Sequence, residues 1–76
     1  ARFSGIGLNE WTRADVEREL GPPAIVDRVG SWNGDIMNYR WRDAGFDMFF
    51  FVYLDAGNVV RRTGQGMEIR NMGLDD

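Results

Sequence analysis

The nine-residue run Phe46-Asp47-Met48-Phe49-Phe50-Phe51-Val52-Tyr53-Leu54 constrains this chain more than any other segment. After Asp47 it is apolar at both odd and even positions. It is far too short for the roughly 20 apolar residues of a membrane helix. Its β-branched and aromatic content and its turn-forming flanks, Asp43-Ala44-Gly45 and Asp55-Ala56-Gly57-Asn58, mark a strand. A strand apolar on both parities is expected at the centre of a sheet with both faces covered. The chain must therefore supply neighbours on either side and a layer on top.

Both neighbours are legible. Ile36 to Arg42 alternates, with Met37, Tyr39 and Trp41 on one side and Asn38, Arg40 and Arg42 on the other, as a half-buried strand does. Val59 to Thr63 reads as the strand on the far side. Ala24 to Asp35 stays open between a loop and a short edge strand at Ile25-Val26-Asp27-Arg28-Val29. Asn33-Gly34 is a two-residue hairpin signal that would let this segment pair with the strand after it. Met67, Ile69 and Met72 either extend the sheet or lie along it.

The covering layer is a helix. Thr12 and Asp15 make a T-x-x-D capping box, and Trp11 before the cap is placed to staple onto Val16. Gly21 supplies a left-handed stop, and Pro22-Pro23 forbid continuation. The helix is expected over about Arg13 to Leu20, burying Val16 and Leu20 at i and i+4. Ile6 and Leu8 of the lead-in are candidates to dock on the core. The resulting fold class is α+β: one short helix on a three-stranded antiparallel meander, with a possible extra edge strand, in a single domain over residues 1–76.

Register predicts two unlike faces. With an even-length first hairpin, Met37, Tyr39 and Trp41 share a face with Phe46, Met48, Phe50, Val52 and Leu54, under the helix. The opposite face then carries Phe49, Phe51 and Tyr53 beside Arg40, Arg42 and one of Arg61 or Arg62. Aromatic rings flanked by arginines have the composition of binding hot spots. The candidate binding residues are Arg40, Arg42, Phe49, Phe51, Tyr53 and Arg62, with Trp32 as a second contact from a loop. The competing reading is that the lead-in, the tail or a second copy covers the row, and that Trp32 packs over the open end of the core.

Composition removes several function classes. The chain has 76 residues, no cysteine and no histidine, so disulfides and the usual zinc ligands are missing, and no cofactor or metal is expected. Nine arginines stand against twelve acidic residues for a net charge of −3. An acidic, lysine-free chain suits neither a phosphate backbone nor anionic lipid, so no nucleic-acid partner is expected. Phe49 to Tyr53 looks like the stacking strand of RNA-recognition motifs, but that fold needs two helices and four strands. With no nucleophile–base set, no calcium loop at Asp55 to Asn58 and no phosphate cradle at Gly64-Gln65-Gly66, the chain reads as a non-enzyme.

The stretch from Trp11 to Pro23 also looks like a bacterial pattern, G-M-T-x-x-x-V-x-x-x-L-G-x-P, with Glu10-Trp11 in place of its Gly-Met. The pattern continues through an aromatic strand, here Tyr39-Arg40-Trp41, and F-x-V-x-F-D-x-x-G-x-V, here Phe51 to Val60. Over about residues 8 to 63 the chain thus resembles the SmpA/OmlA (BamE-like) family of outer-membrane lipoproteins. The resemblance implies the periplasmic domain of an envelope lipoprotein, on the periplasmic side of the bacterial outer membrane. Its membrane contact would be a lipid anchor upstream of this chain. It would bind a protein partner in the cell envelope as scaffold or assembly factor, as a monomer or weak homodimer. Because the pattern recurs in β-lactamase-inhibitor-like domains, a module that occludes an enzyme is the alternative, followed by a lipid- or cell-wall-binding domain.

Overall fold

The computed structural model describes residues 5–69. Helix α1 (Arg13–Leu20) is followed by β1 (Ile25–Asp27), β2 (Ile36–Asp43), β3 (Phe46–Leu54) and β4 (Val60–Ile69). The strands form one antiparallel sheet in the order β1-β2-β3-β4. The expectation of a three-stranded meander is therefore overturned: the sheet has four strands.

The fourth strand comes from the segment left open between loop and edge. Ile25 pairs with Asn38, Val26 with Met37 and Asp27 with Ile36. The Ala24 N–H donates to the Asn38 carbonyl at 2.8 Å, fixing where pairing begins after Pro23. Asn33-Gly34 does not form a two-residue hairpin, because residues 28–35 make a longer loop that folds back over β3. Gly34 is required there for another reason: a Cβ on it would clash with the Leu54 carbonyl oxygen. The last strand is also longer than Val59 to Thr63, running on through Gly64, Gly66, Met67 and Ile69, while Met72 lies outside the described residues.

The turn sets the register between β2 and β3. Ala44 and Gly45 both have positive φ, 50° and 89°, the geometry that joins antiparallel strands with a matching twist. This two-residue loop pairs Asp43 with Phe46, Trp41 with Met48, Tyr39 with Phe50 and Met37 with Val52. The even-length hairpin thus holds, and so do the two predicted sets of side chains.

On one face, Val16 of α1 meets Met37, Tyr39, Phe50, Val52, Leu54 and Val60 in the core, with Ile6, Trp11, Leu20 and Trp41 packed around it. Val16, Met37, Val52, Leu54 and Val60 are fully removed from water. Leu8 does not join them and is exposed. The capping box forms as expected: the Thr12 N–H donates to Asp15 Oδ2 at 2.9 Å, and the Asp15 N–H donates to Thr12 Oγ1 at 3.4 Å. The Tyr39 hydroxyl donates to the Gly21 carbonyl at 2.9 Å, tying the helix end to the sheet. Burial pushes that phenol up to about 12, with Glu17 adding to the effect.

The lead-in grips the start of β4. The Asn9 N–H donates to the Val60 carbonyl at 2.7 Å, the Val60 N–H to the Trp11 carbonyl at 2.8 Å, and the Arg13 N–H to the Asn58 carbonyl at 2.9 Å. Beyond Val60 the outer edge of β4 has no neighbouring strand among the described residues.

Candidate functional site

The face opposite α1 is built row by row from the ladder. Arg40, Phe49 and Gly66 lie side by side, then Asn38, Phe51 and Gly64, then Ile36, Tyr53 and Arg62. Strand alternation puts these residues on one surface. The Phe49 and Phe51 rings lie parallel, 3° apart in plane with centroids 6.3 Å apart. The Arg40 guanidinium sits 5.3 Å from the Phe49 centroid, and that of Arg62 sits 5.3 Å from the Tyr53 centroid. Both distances fall within the reach of cation–π attraction. The result is an aromatic row with a cation over each end.

Phe49, Phe51 and Tyr53 are each half-buried, while Arg40 and Arg62 are exposed. This differs from the expectation that β3 is covered on both faces. The reason lies on β4, where two glycines stand beside Phe51 and Phe49. A Cβ on Gly64 would meet Phe51 and Tyr53 at an ordinary 3.9 Å, and one on Gly66 would meet nothing. Packing does not demand glycine at either position. Its presence leaves the ring edges open toward the β4 side.

The choice between Arg61 and Arg62 is made by a bulge. Register shifts between Tyr53 and Leu54, so that Tyr53 faces Arg62 while Leu54 faces Val60. Arg61 is the extra residue and is turned away, its Nε donating to Asp55 Oδ2 at 2.7 Å and its Nη1 to Asn9 Oδ1 at 2.6 Å. Bulges re-aim side chains in this way. Arg42 lies on the same surface beyond the row, 3.6 Å from Asp47, in an exposed ion pair of small energetic weight.

Trp32 is placed at the other end. Its ring meets Tyr53 edge-on at 5.2 Å, and its Nε1–H donates to the Leu54 carbonyl at 2.8 Å. It is half-buried, and these two contacts hold the 28–35 loop against the Tyr53 end of the aromatic row. The loop and sheet together frame a groove of about 340 Å³ lined by Val29, Ser31, Trp32, Phe51, Tyr53 and Arg62. Sequence reasoning missed Asn38, whose Oδ1 is buried beside Phe51 with no hydrogen-bond partner among the described residues. A polar residue facing an aromatic strand was the available signal.

A second cleft, of about 450 Å³, opens near the start of α1 and holds Arg13, Arg28, Asp35 and Asp55 among its walls. Asp35 accepts from Arg28 Nε at 2.6 Å and Arg13 Nη1 at 2.9 Å. The Arg28 hydrogen bond and then charge from both arginines hold its carboxyl below the ordinary 3.8. Asp55 accepts from the Val59 and Gly57 N–H groups and from Arg61. The Val59 hydrogen bond leads in lowering its carboxyl, followed by Arg61. Both acids are committed to structure as anions, the wrong state for a general acid at neutral pH. Of the two carboxylates flanking the first hairpin turn, Asp43 and Asp47, the second answers Arg42.

Comparison with known proteins gives no match to a family model, a curated protein or a solved structure. None of these comparisons identifies the SmpA/OmlA family.

Proposed function

We propose that this domain is a binding module that engages a protein partner through the row Arg40, Phe49, Phe51, Tyr53 and Arg62. The observation that supports it is the pair of guanidinium groups over the ends of a half-exposed aromatic row. Rings held rigid by a sheet lose little entropy on contact, and arginines already placed over them present donors to carbonyls or carboxylates. The groove beside Trp32 gives a protruding side chain a place to enter. The motif resemblance supports a partner in the bacterial envelope and a scaffold or assembly role on the periplasmic side of the outer membrane.

The test is capture from an envelope fraction with the domain immobilised, followed by titration with the captured protein. Phe49→Ser with Arg40→Ala is expected to weaken binding about 30-fold, the scale of a hot spot of about 2 kcal/mol. Glu19→Ala, on the exposed side of α1, is expected to leave it unchanged. If the first variant binds like the parent, this face is not the contact surface.

A further inference from the structure

We infer that the open edge of β4 is a self-complementary pairing edge, joining two copies of this chain antiparallel about Gln65 into one eight-stranded sheet. The two edges of the sheet are unlike. β1 has only three residues, and a very short strand is a blunt edge. β4 has ten residues, and between Thr63 and Met67 it carries no charge and no proline. The first part of β4 is occupied by the lead-in, through Asn9 and Trp11 on Val60. Among the described residues nothing pairs with the rest, and the two most exposed large apolar side chains among them, Met67 at 60% and Ile69 at 79%, lie on it.

One hydrogen bond fixes which backbone groups face outward. The Leu54 N–H donates toward the β2 side, to the Asp35 carbonyl at 2.9 Å. Alternation along an antiparallel ladder then points Phe49, Phe51 and Tyr53 at β4, and their partners Gly66, Gly64 and Arg62 back at β3. Thr63, Gln65, Met67 and Ile69 are left with outward N–H and C=O groups.

A two-fold pair keeps each face of the sheet continuous, so directly opposed residues must come from the same face. Centring on Gln65 sets Gly64 against Gly66 of the second copy and Thr63 against Met67. It also sets Arg62 against Glu68, twice over. The neighbouring same-face registers lose this match: a centre on Gly64 sets Arg62 against Gly66, and a centre on Gly66 sets Glu68 against Gly64. The Arg62–Glu68 positions are non-hydrogen-bonded pairs, where side chains approach most closely, and opposite charges there are stabilising. The net charge of −3 per chain opposes association, but at physiological salt it is screened beyond about 8 Å. The pair needs no partner on the aromatic face and does not rest on the function proposed above.

Sedimentation equilibrium across a range of protein concentrations tests it, with circular dichroism as the check on folding. The parent chain is expected to dimerise. Glu68→Arg, which opposes two arginine pairs, is expected to weaken the dimer about tenfold, and adding Arg62→Glu to restore it. Gln65→Pro, which removes an outward N–H, is expected to give a folded monomer. In a chain without cysteine, Gln65→Cys is expected to cross-link to itself on mild oxidation, since such pairs lie about 5.5 Å apart between Cα atoms. A parent chain that stays monomeric at millimolar concentration overturns the inference. So does a dimer that both Glu68→Arg and Gln65→Pro leave intact.

Discussion

The two ends of the sheet obey the same hydrophobic pattern with opposite outcomes. Near Leu54, the face under the helix is fully buried at Met37, Val52, Leu54 and Val60. Near the Ala44-Gly45 turn, Phe46, Met67 and Ile69 lie on that same face and are exposed. Helix length explains the difference. Eight residues of α-helix span about 12 Å, whereas the nine and ten residues of β3 and β4 reach about 30 Å. One short helix covers one end. Apolar patterning therefore places a residue on a face, and only the length of the covering layer decides whether water is excluded from it.

Mutations should split along this line. At the covered end, Leu54→Ala removes a fully buried side chain and is expected to cost about 3–5 kcal/mol. That is comparable to the whole stability of many small domains, so chemical denaturation should show a largely unfolded chain. Gly34→Ala forces a Cβ against the Leu54 carbonyl and is expected to cost about 2 kcal/mol or more, lowering the thermal midpoint by about 10 °C. Thr12→Ala breaks the capping box and should cost about 1 kcal/mol in the same measurement.

Acid separates the ends more gently. Asp55 has a depressed pKa in the folded chain, so its contribution is present above 3.8 and is lost as pH falls through its lower folded value. Asp55→Asn is expected to flatten the acid limb of a stability–pH profile and leave slopes near neutrality alone. At the uncovered end, Met67→Ala should change monomer stability by less than about 0.5 kcal/mol. A cost near that of Leu54→Ala would mean that something covers the turn end after all.

The parts legible in the sequence were those with local chemistry. Thr12, Asp15, Gly21 and Pro22-Pro23 bound the helix on both sides without help from the rest of the chain. The Ala44-Gly45 turn fixed which residues of β2 and β3 share a face, and with it the arginine–aromatic row. What was not legible depended on distant partners. Ile25-Val26-Asp27 is too short to announce a strand and becomes one by pairing with Ile36 to Asn38. Gly64 and Gly66 look like loop residues, yet they continue β4 because Phe51 and Phe49 lie beside them and supply the apolar surface they lack. Trp32 offered no sign that its indole would reach Leu54, 22 positions away. The arginine bulge at 61 likewise needed Asp55 and Asn9 in place.

The grip of Asn9, Trp11 and Arg13 on Asn58 and Val60 also bears on how the molecule is made. Among the described elements the helix leaves the ribosome ahead of the strands, yet its docking site includes β4, the last of them to appear. Eight residues of helix do not hold together alone in water, and contacts this far apart in sequence are slow to close. Synthesis thus delivers the helix first but lets it dock last, and a nascent chain halted before Val60 emerges would leave α1 without its anchor.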